Sequence, residues 1–105
     1  MRPGARLQAA IEVLEDVEAR KRPAADALKD WMLSHRFAGS KDRADIGDTV
    51  FGAMRWRNSS AHRFGADTPR AWVLGAQRFG FGVDAEALEA SFSDPHAPSA
   101  LSDAE

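Results

Sequence analysis

The sequence predicts an all-α fold, a compact bundle of about five to seven helices. Apolar residues recur at three- and four-residue intervals along most of the chain, which is the spacing that lines one face of a helix. Alanine is abundant, whereas β-branched residues are too scattered to form alternating strands. The 105 residues are enough for one domain with one modest core.

The first predicted helix covers about 4–21. Leu7, Ile11 and Leu14 belong to its apolar stripe, and acidic residues cover the other side. Three consecutive cations complement the C-terminal end of the helix dipole. Pro23 then ends this helix or begins the next one.

The second and third helices are predicted at about 24–37 and 41–57. Trp31 lies on the inner face of the second helix, and Ser40 is a good N-cap for the third. The predicted apolar stripe of the third helix consists of Ile46, Val50, Ala53 and Met54.

Three further helical segments are predicted at about 59–65, 69–79 and 85–92. Thr68 and Pro69 form a strong start signal, an N-cap followed by proline at the first helical position. The helix that follows contains six consecutive residues with neither charge nor hydroxyl, so we expect it to be buried at the centre of the bundle. The inner residues of the last helix are predicted to be Ala85, Leu88 and Phe92.

The C-terminal segment has a different composition. From Ser93 onward the chain consists mainly of proline, serine, alanine and acidic residues. The sequence therefore predicts a helical domain over 1–92 and a linker or frayed tail over 93–105.

Charge is distributed unevenly although the net value is only −2. All 14 basic residues lie at or before Arg78, where the balance is +4, and residues 79–105 carry −6. Residues 55–78 contain five arginines and one acid, Asp67. Arginine suits bidentate phosphate contacts, so this stretch is interpreted either as an RNA-contacting surface or as an ordinary solvated face.

The sequence offers no convergent catalytic or metal-binding motif. Cysteine is absent, which excludes disulfides, thiol nucleophiles and iron–sulfur clusters. The residue types of a hydrolase triad occur close together at Ser59, Ser60, His62 and Asp67, without the constrained turn that such a nucleophile needs. Carboxylates recur on the third helix at Asp42, Asp45 and Asp48. This spacing favours dipole complementarity and ion pairs over a metal site.

Two tryptophans, Trp31 and Trp72, lie on predicted apolar faces and are expected in the core. Trp56 lies between two arginines and past the core stripe, where an exposed edge could stack on a base. The chain begins without the apolar stretch of a signal peptide and has no apolar run of about 20 residues. We therefore expect a cytoplasmic protein with no membrane contact.

The third predicted helix carries a family resemblance. It combines an Asp-Arg pair, a Val-Phe-Gly triplet and a later arginine, and the matching positions are Asp42, Arg43, Val50, Phe51, Gly52 and Arg55. This pattern resembles a helix of the NusB-like fold. That fold occurs in transcription antitermination factors and as the N-terminal domain of bacterial NOL/NOP/Sun-family cytosine-C5 RNA methyltransferases. Weaker matches near the N-terminus, at 22–24, 68–75 and 95–98 extend the resemblance over nearly the whole chain.

The resemblance implies an RNA-binding accessory domain of an S-adenosylmethionine-dependent rRNA or tRNA methyltransferase. In that family the cofactor and two cysteines belong to a C-terminal catalytic domain. The fragment itself is therefore expected to be no enzyme and to hold no cofactor and no metal. Its expected partners are RNA, in particular rRNA, and its own catalytic domain. The candidate RNA contacts are Arg2, Arg6, Lys41, Arg43, Arg55 and Arg57.

Two alternatives stay open. Arg43 or Arg55 could pair with Asp42 and tie helices together, whereas Lys41 and Arg57 are expected to be less constrained. The chain could also be a stand-alone NusB-like protein-interaction or antitermination-type module. The turn at 79–82, rich in phenylalanine and glycine, is then either a docking surface or a lid over the core.

Overall fold

The computed structural model of the chain describes residues 1–102 and 105. Within these residues the protein has six α-helices and no strand, which confirms the predicted all-α bundle. The helices are α1 (Pro3–Arg20), α2 (Ala24–Ser34), α3 (Ser40–Arg55), α4 (Arg57–Phe64), α5 (Pro69–Gly75) and α6 (Ala85–Ser91). A π-helical turn, Ala76–Gly80, continues α5 directly.

The core lies between α1, α3 and α5. Its largest fully buried side chains include Leu14 from α1, Ile46 from α3, and Trp72 and Leu74 from α5. Full burial of side chains of this size contributes about 1.5–3 kcal/mol each relative to exposure. Every residue from Ala71 to Gly75 is buried, so the prediction of a buried fifth helix is confirmed.

Four residues expected in the core are more exposed than predicted, and one of them is Phe92, which is half-buried just after α6. Met54 is 43% exposed because Thr49, not Met54, completes the buried stripe of α3. One residue past Ala53 turns the side chain by about 100° and out of that stripe. Ala85 is exposed on α6, and Trp31 is only half-buried at the end of α2.

The segment after α6 is packed rather than frayed. The buried carboxylate of Asp94 accepts the backbone N–H of Ala5 at 3.2 Å and that of His96 at 2.9 Å. Arg70 donates to the carbonyls of Ser99 and Ala100 at 2.7 and 3.0 Å. Most of these contacts are hydrogen bonds between residues far apart in the sequence, which is why the composition gave no sign of them. Asp103 and Ala104 lie outside the described residues.

None of the helices in the described part of the chain combines the length and the apolar character that a membrane span requires.

Candidate nucleic-acid interface

The six predicted RNA contacts form two groups at opposite ends of α3. This helix has 16 residues and is therefore about 24 Å long. The group at its beginning consists of Arg2, Arg6, Lys41 and Arg43, and the group at its end consists of Arg55 and Arg57. The six residues therefore do not form one continuous patch.

Arg6 is engaged in holding α1 against α3. Its Nη2 and Nε atoms lie 2.7 and 2.9 Å from Oδ1 of Asp42, and its Nη1 lies 3.5 Å from Asp45. Asp42 also accepts the backbone N–H of Gly39 at 3.2 Å and contacts the α-amino group of Met1 at 3.3 Å. The hydrogen bonds from Arg6 and Gly39 lower the pKa of Asp42. The partner of Asp42 is thus Arg6, rather than either arginine of its own helix.

Lys41 and Arg43 are exposed at the beginning of α3. Arg43 donates from Nε to the carbonyl of Ala38 at 3.0 Å, which holds its side chain beside α2. Neither residue forms an ion pair within residues 1–102 and 105. Arg2 is exposed just before α1.

Arg57 is held in what we call the Arg57 cluster, which comprises Arg57, Glu18, Asp67 and Trp72. Its guanidinium lies 4.0 Å from the ring centroid of Trp72 and forms 3.2 Å ion pairs with both Glu18 and Asp67. The Trp72 Nε1–H also donates to Asp67 at 2.7 Å. These bonds, chiefly the one from Arg57, lower the pKa of Asp67, and the Asp67 carboxylate raises the pKa of Arg57. The expectation that Arg57 is less constrained is wrong.

Arg55 lies in different surroundings. It is exposed, its guanidinium is 5.2 Å from the ring centroid of Trp56, and no acid pairs with it among the described residues. Trp56 is half-buried and meets the ring of Phe81 edge-to-face, with centroids 5.9 Å apart. Arg55 therefore stands at the border of an aromatic surface.

A further exposed ring, two residues before Phe81, is that of Phe79, which is 45% exposed. Arg63 and Arg78 flank its ring, with guanidinium carbons 4.1 and 5.5 Å from the centroid. Phe81 is also about half exposed. We call this region the Phe79 surface, and it comprises Arg55, Trp56, Arg63, Arg78, Phe79 and Phe81.

The backbone of the π turn places these rings outside. The N–H of Phe81 bonds the carbonyl of Ala76 at 2.7 Å, which closes a wider loop than an α-helix does. Gly80 lets the ring of Trp56 approach, because a Cβ at this position would lie 2.5 Å from that ring. Phe79 and Phe81 therefore lie on either side of a close backbone–ring contact.

Sequence reasoning missed Arg63 and Arg78. Two features of the sequence could have indicated these residues. They are the five arginines with one acid over 55–78 and the phenylalanine-rich turn that follows. In the structure Arg57 forms an ion pair with Asp67, the single acid of the stretch. Arg70 is bound by Ser99 and Glu105 of the C-terminal segment. The remaining three arginines of the stretch surround Phe79 and Trp56 without a carboxylate partner in the described residues.

In the described part of the chain, no three histidine, aspartate or glutamate side chains are grouped as metal ligands would be. No protein-family model matches the sequence, and no curated protein or solved structure matches it. The NusB-like resemblance therefore stays a prediction that rests on its motifs.

Proposed function

We propose that this chain is an RNA-binding accessory domain that holds unpaired RNA on the Phe79 surface for a cytosine-C5 methyltransferase. The observation that supports the proposal is the combination of two half-exposed phenylalanine rings with three arginines that have no acidic partner among residues 1–102 and 105. Arginine forks match phosphate oxygens, and aromatic faces stack on unpaired bases at about 1–3 kcal/mol per base. The two kinds of contact are what single-stranded RNA requires.

The overall charge of −2 does not oppose this proposal, because the relevant field is local. Asp84 is the N-cap of α6, the other acids after Arg78 belong to α6 or to the C-terminal segment, and neither Arg63 nor Arg78 forms an ion pair with a described acid. Three phosphate contacts on a single strand predict a slope of log K against log salt of roughly −2. We therefore expect weak binding that depends clearly on salt.

The link to methylation rests on the family resemblance. In this proposal the chain binds and positions RNA, whereas S-adenosylmethionine and the base-flipping chemistry belong to a separate catalytic domain. Arg55 is the one predicted contact that lies in the Phe79 surface. Arg6 and Arg57 act mainly within the fold, because carboxylates already occupy their guanidinium groups.

The test is fluorescence anisotropy with a labelled single-stranded rRNA segment and its duplex, measured over a range of salt. We expect Arg55→Ala/Arg63→Ala to reduce single-strand affinity by about tenfold and to make the salt slope shallower by about 1.4. The matched control, Arg20→Ala/Lys21→Gln, removes two exposed cations at the end of α1 and should leave both values unchanged.

Equal losses of RNA affinity in the two double variants would show that only net charge matters and would overturn the proposed surface. Equal affinity for the duplex and the single strand would overturn the stacking component. Phe79→Ala separates the components, because it should weaken single-strand binding without changing the salt slope.

A further inference from the structure

A second surface lies between α2 and α3, on a different side of α3 from the Phe79 surface. Phe51 faces it, whereas the next residue, Gly52, contacts Phe81. Consecutive helical residues point about 100° apart, so the two surfaces are separated around the same helix. The space between α2 and α3 is an open groove of about 650 Å³.

The floor of this groove is apolar. Leu28 and Met32 are half-buried along α2, whereas Leu33 is 55% and Phe51 50% exposed. Leu28 and Met32 are one turn apart on α2, so they form a short ridge with Phe51 opposite. Large apolar side chains that share one exposed groove mark an interaction site.

The rim of the groove is basic. Lys29 from α2, Arg36 just after α2 and Arg43 from α3 line it, and none of the described acidic residues does. None of the three forms an ion pair in the described part of the chain. The charge of the groove therefore has to be balanced from outside the domain, by solvent ions or by an acidic partner.

The side chains of the floor indicate which of two acidic partners, RNA or protein, fits the groove. It is mostly aliphatic, and Phe51 is its one aromatic ring among the described residues. Bases stack on aromatic faces, whereas leucine- and methionine-lined grooves accept the apolar face of an amphipathic helix. The acidic helix of this chain, α6, is not a candidate because its Leu88 is buried in the core of the domain.

We infer that the groove binds an amphipathic helix of a partner protein. Its apolar side chains recur at i, i+3 or i+4 and i+7, and acidic side chains flank them. The apolar side chains lie between Leu28, Met32 and Phe51, and the acidic ones meet Lys29, Arg36 and Arg43. This inference is independent of RNA binding, since the two surfaces share no residue.

The experiment uses a labelled synthetic helical peptide with leucines at i, i+3, i+4 and i+7 and with flanking glutamates. The control peptide has lysine in place of each glutamate. We expect the glutamate peptide to bind the full chain at least about tenfold more tightly than the lysine peptide. Leu33→Ser/Phe51→Ser should weaken glutamate-peptide binding by about tenfold, whereas Met54→Ser, 43% exposed on α3 and outside the groove, should not.

Charge reversal gives the sharpest outcome. Arg36→Glu/Arg43→Glu should exchange the preference of the chain between the two peptides. In the unsubstituted chain, peptide addition should shift the NMR methyl signals of Met32 and Leu33, which tests the groove without any variant.

Three results would overturn the inference: equal affinity for the two peptides, no effect of the groove variants, or displacement of the peptide by single-stranded RNA. The last result would assign the groove to RNA. If Arg55→Ala/Arg63→Ala loses RNA binding but still binds the peptide, the result would support a peptide site that is separate from the RNA site.

Discussion

Arg57 and Arg55 stand on either side of Trp56 and lie in different surroundings. Arg57 covers Trp72 and is held by two carboxylates, whereas Arg55 lies over Trp56 and has no acidic partner in the described residues. Amino-acid composition alone does not distinguish the two arginines. The difference teaches that a carboxylate within reach decides whether an arginine stabilises the fold or stays available to a ligand.

Stacking geometry alone does not distinguish the Arg57 cluster from the Phe79 surface. Arg57 lies 4.0 Å from the Trp72 centroid, and Arg63 lies 4.1 Å from the Phe79 centroid. The rings themselves differ, because Trp72 is 2% exposed and Phe79 is 45% exposed. In the first region the guanidinium seals the edge of the core, and in the second both ring and guanidinium remain open to solvent.

The largest effect should come from removing the ring of Trp72, for which Phe79 is the comparison. Trp72→Ala deletes a fully buried indole and should lower the free energy of unfolding by about 3–5 kcal/mol. Phe79→Ala removes a half-exposed ring and should cost about 1 kcal/mol or less. Urea unfolding of the two variants measures both values, and similar losses would mean that Phe79 is a core residue and not a binding surface.

A smaller effect should follow from adding a methyl group at Gly80, where the backbone contacts the ring of Trp56. In Gly80→Ala the new Cβ would lie 2.5 Å from the ring of Trp56, so the ring must move. We expect a loss of about 1–3 kcal/mol in the free energy of unfolding, together with weaker RNA binding.

The matched control for this substitution is Gly47→Ala on α3. Its Cβ would lie 3.6 Å from Cδ2 of Leu28, an ordinary contact, so helix propensity should stabilise the protein by up to about 1 kcal/mol. Equal effects of the two substitutions in urea unfolding would show that the contact between Gly80 and Trp56 does not constrain the surface.

The two regions also show how far the sequence carries the prediction. Periodicity and start signals predicted most of the helices, because burial of one helix face and capping are local effects. The predicted N-cap of the third helix, Ser40, is wrong by one position, since Gly39 is the N-cap and Ser40 begins α3. The N-cap at Thr68, for example, accepts the N–H of Ala71 at 3.2 Å as that pattern implies. The buried fifth helix followed from six residues with neither charge nor hydroxyl.

The site was harder to predict because it depends on pairings between distant residues. Arg6 and Asp42 are 36 positions apart, and Arg57 and Glu18 are 39 apart. Nothing in the spacing of these residues indicates that they meet. Once such pairs are formed, the arginines left over define the Phe79 surface, so that surface is known only after the fold is known.

Substitution of each arginine by alanine compares Arg57 and Arg55 directly. Arg57→Ala removes the stacking on Trp72 and both ion pairs, and should lower the free energy of unfolding by about 1–2 kcal/mol. Arg55→Ala should change it by about 0.5 kcal/mol or less, because its side chain is exposed and unpaired with any described acid. The RNA affinities should show the opposite order, and a stable Arg57→Ala protein with lost RNA binding would exchange the roles of the two residues.

The smallest effect concerns acid stability and separates the two regions by their carboxylates. Hydrogen bonds from Arg57 and then Trp72 lower the pKa of Asp67 below its ordinary value of 3.8. Between these two values the unfolded chain binds more protons than the folded one, so acid favours unfolding. The stabilisation by Asp67 is therefore complete above about pH 4 and is lost as the pH falls through the lowered pKa.

Asp67→Asn should reduce stability at neutral pH and flatten the dependence of stability on pH below about pH 4. Asp42 and Glu105 also have lowered pKa values, that of Glu105 being about 2, so part of the acid dependence should persist in this variant. Arg63→Gln should leave the pH dependence unchanged, because no described carboxylate pairs with Arg63. Chemical unfolding across the acid range measures all three proteins. A flattened profile in Arg63→Gln would show that an acid reaches the Phe79 surface and would remove the distinction between the two regions.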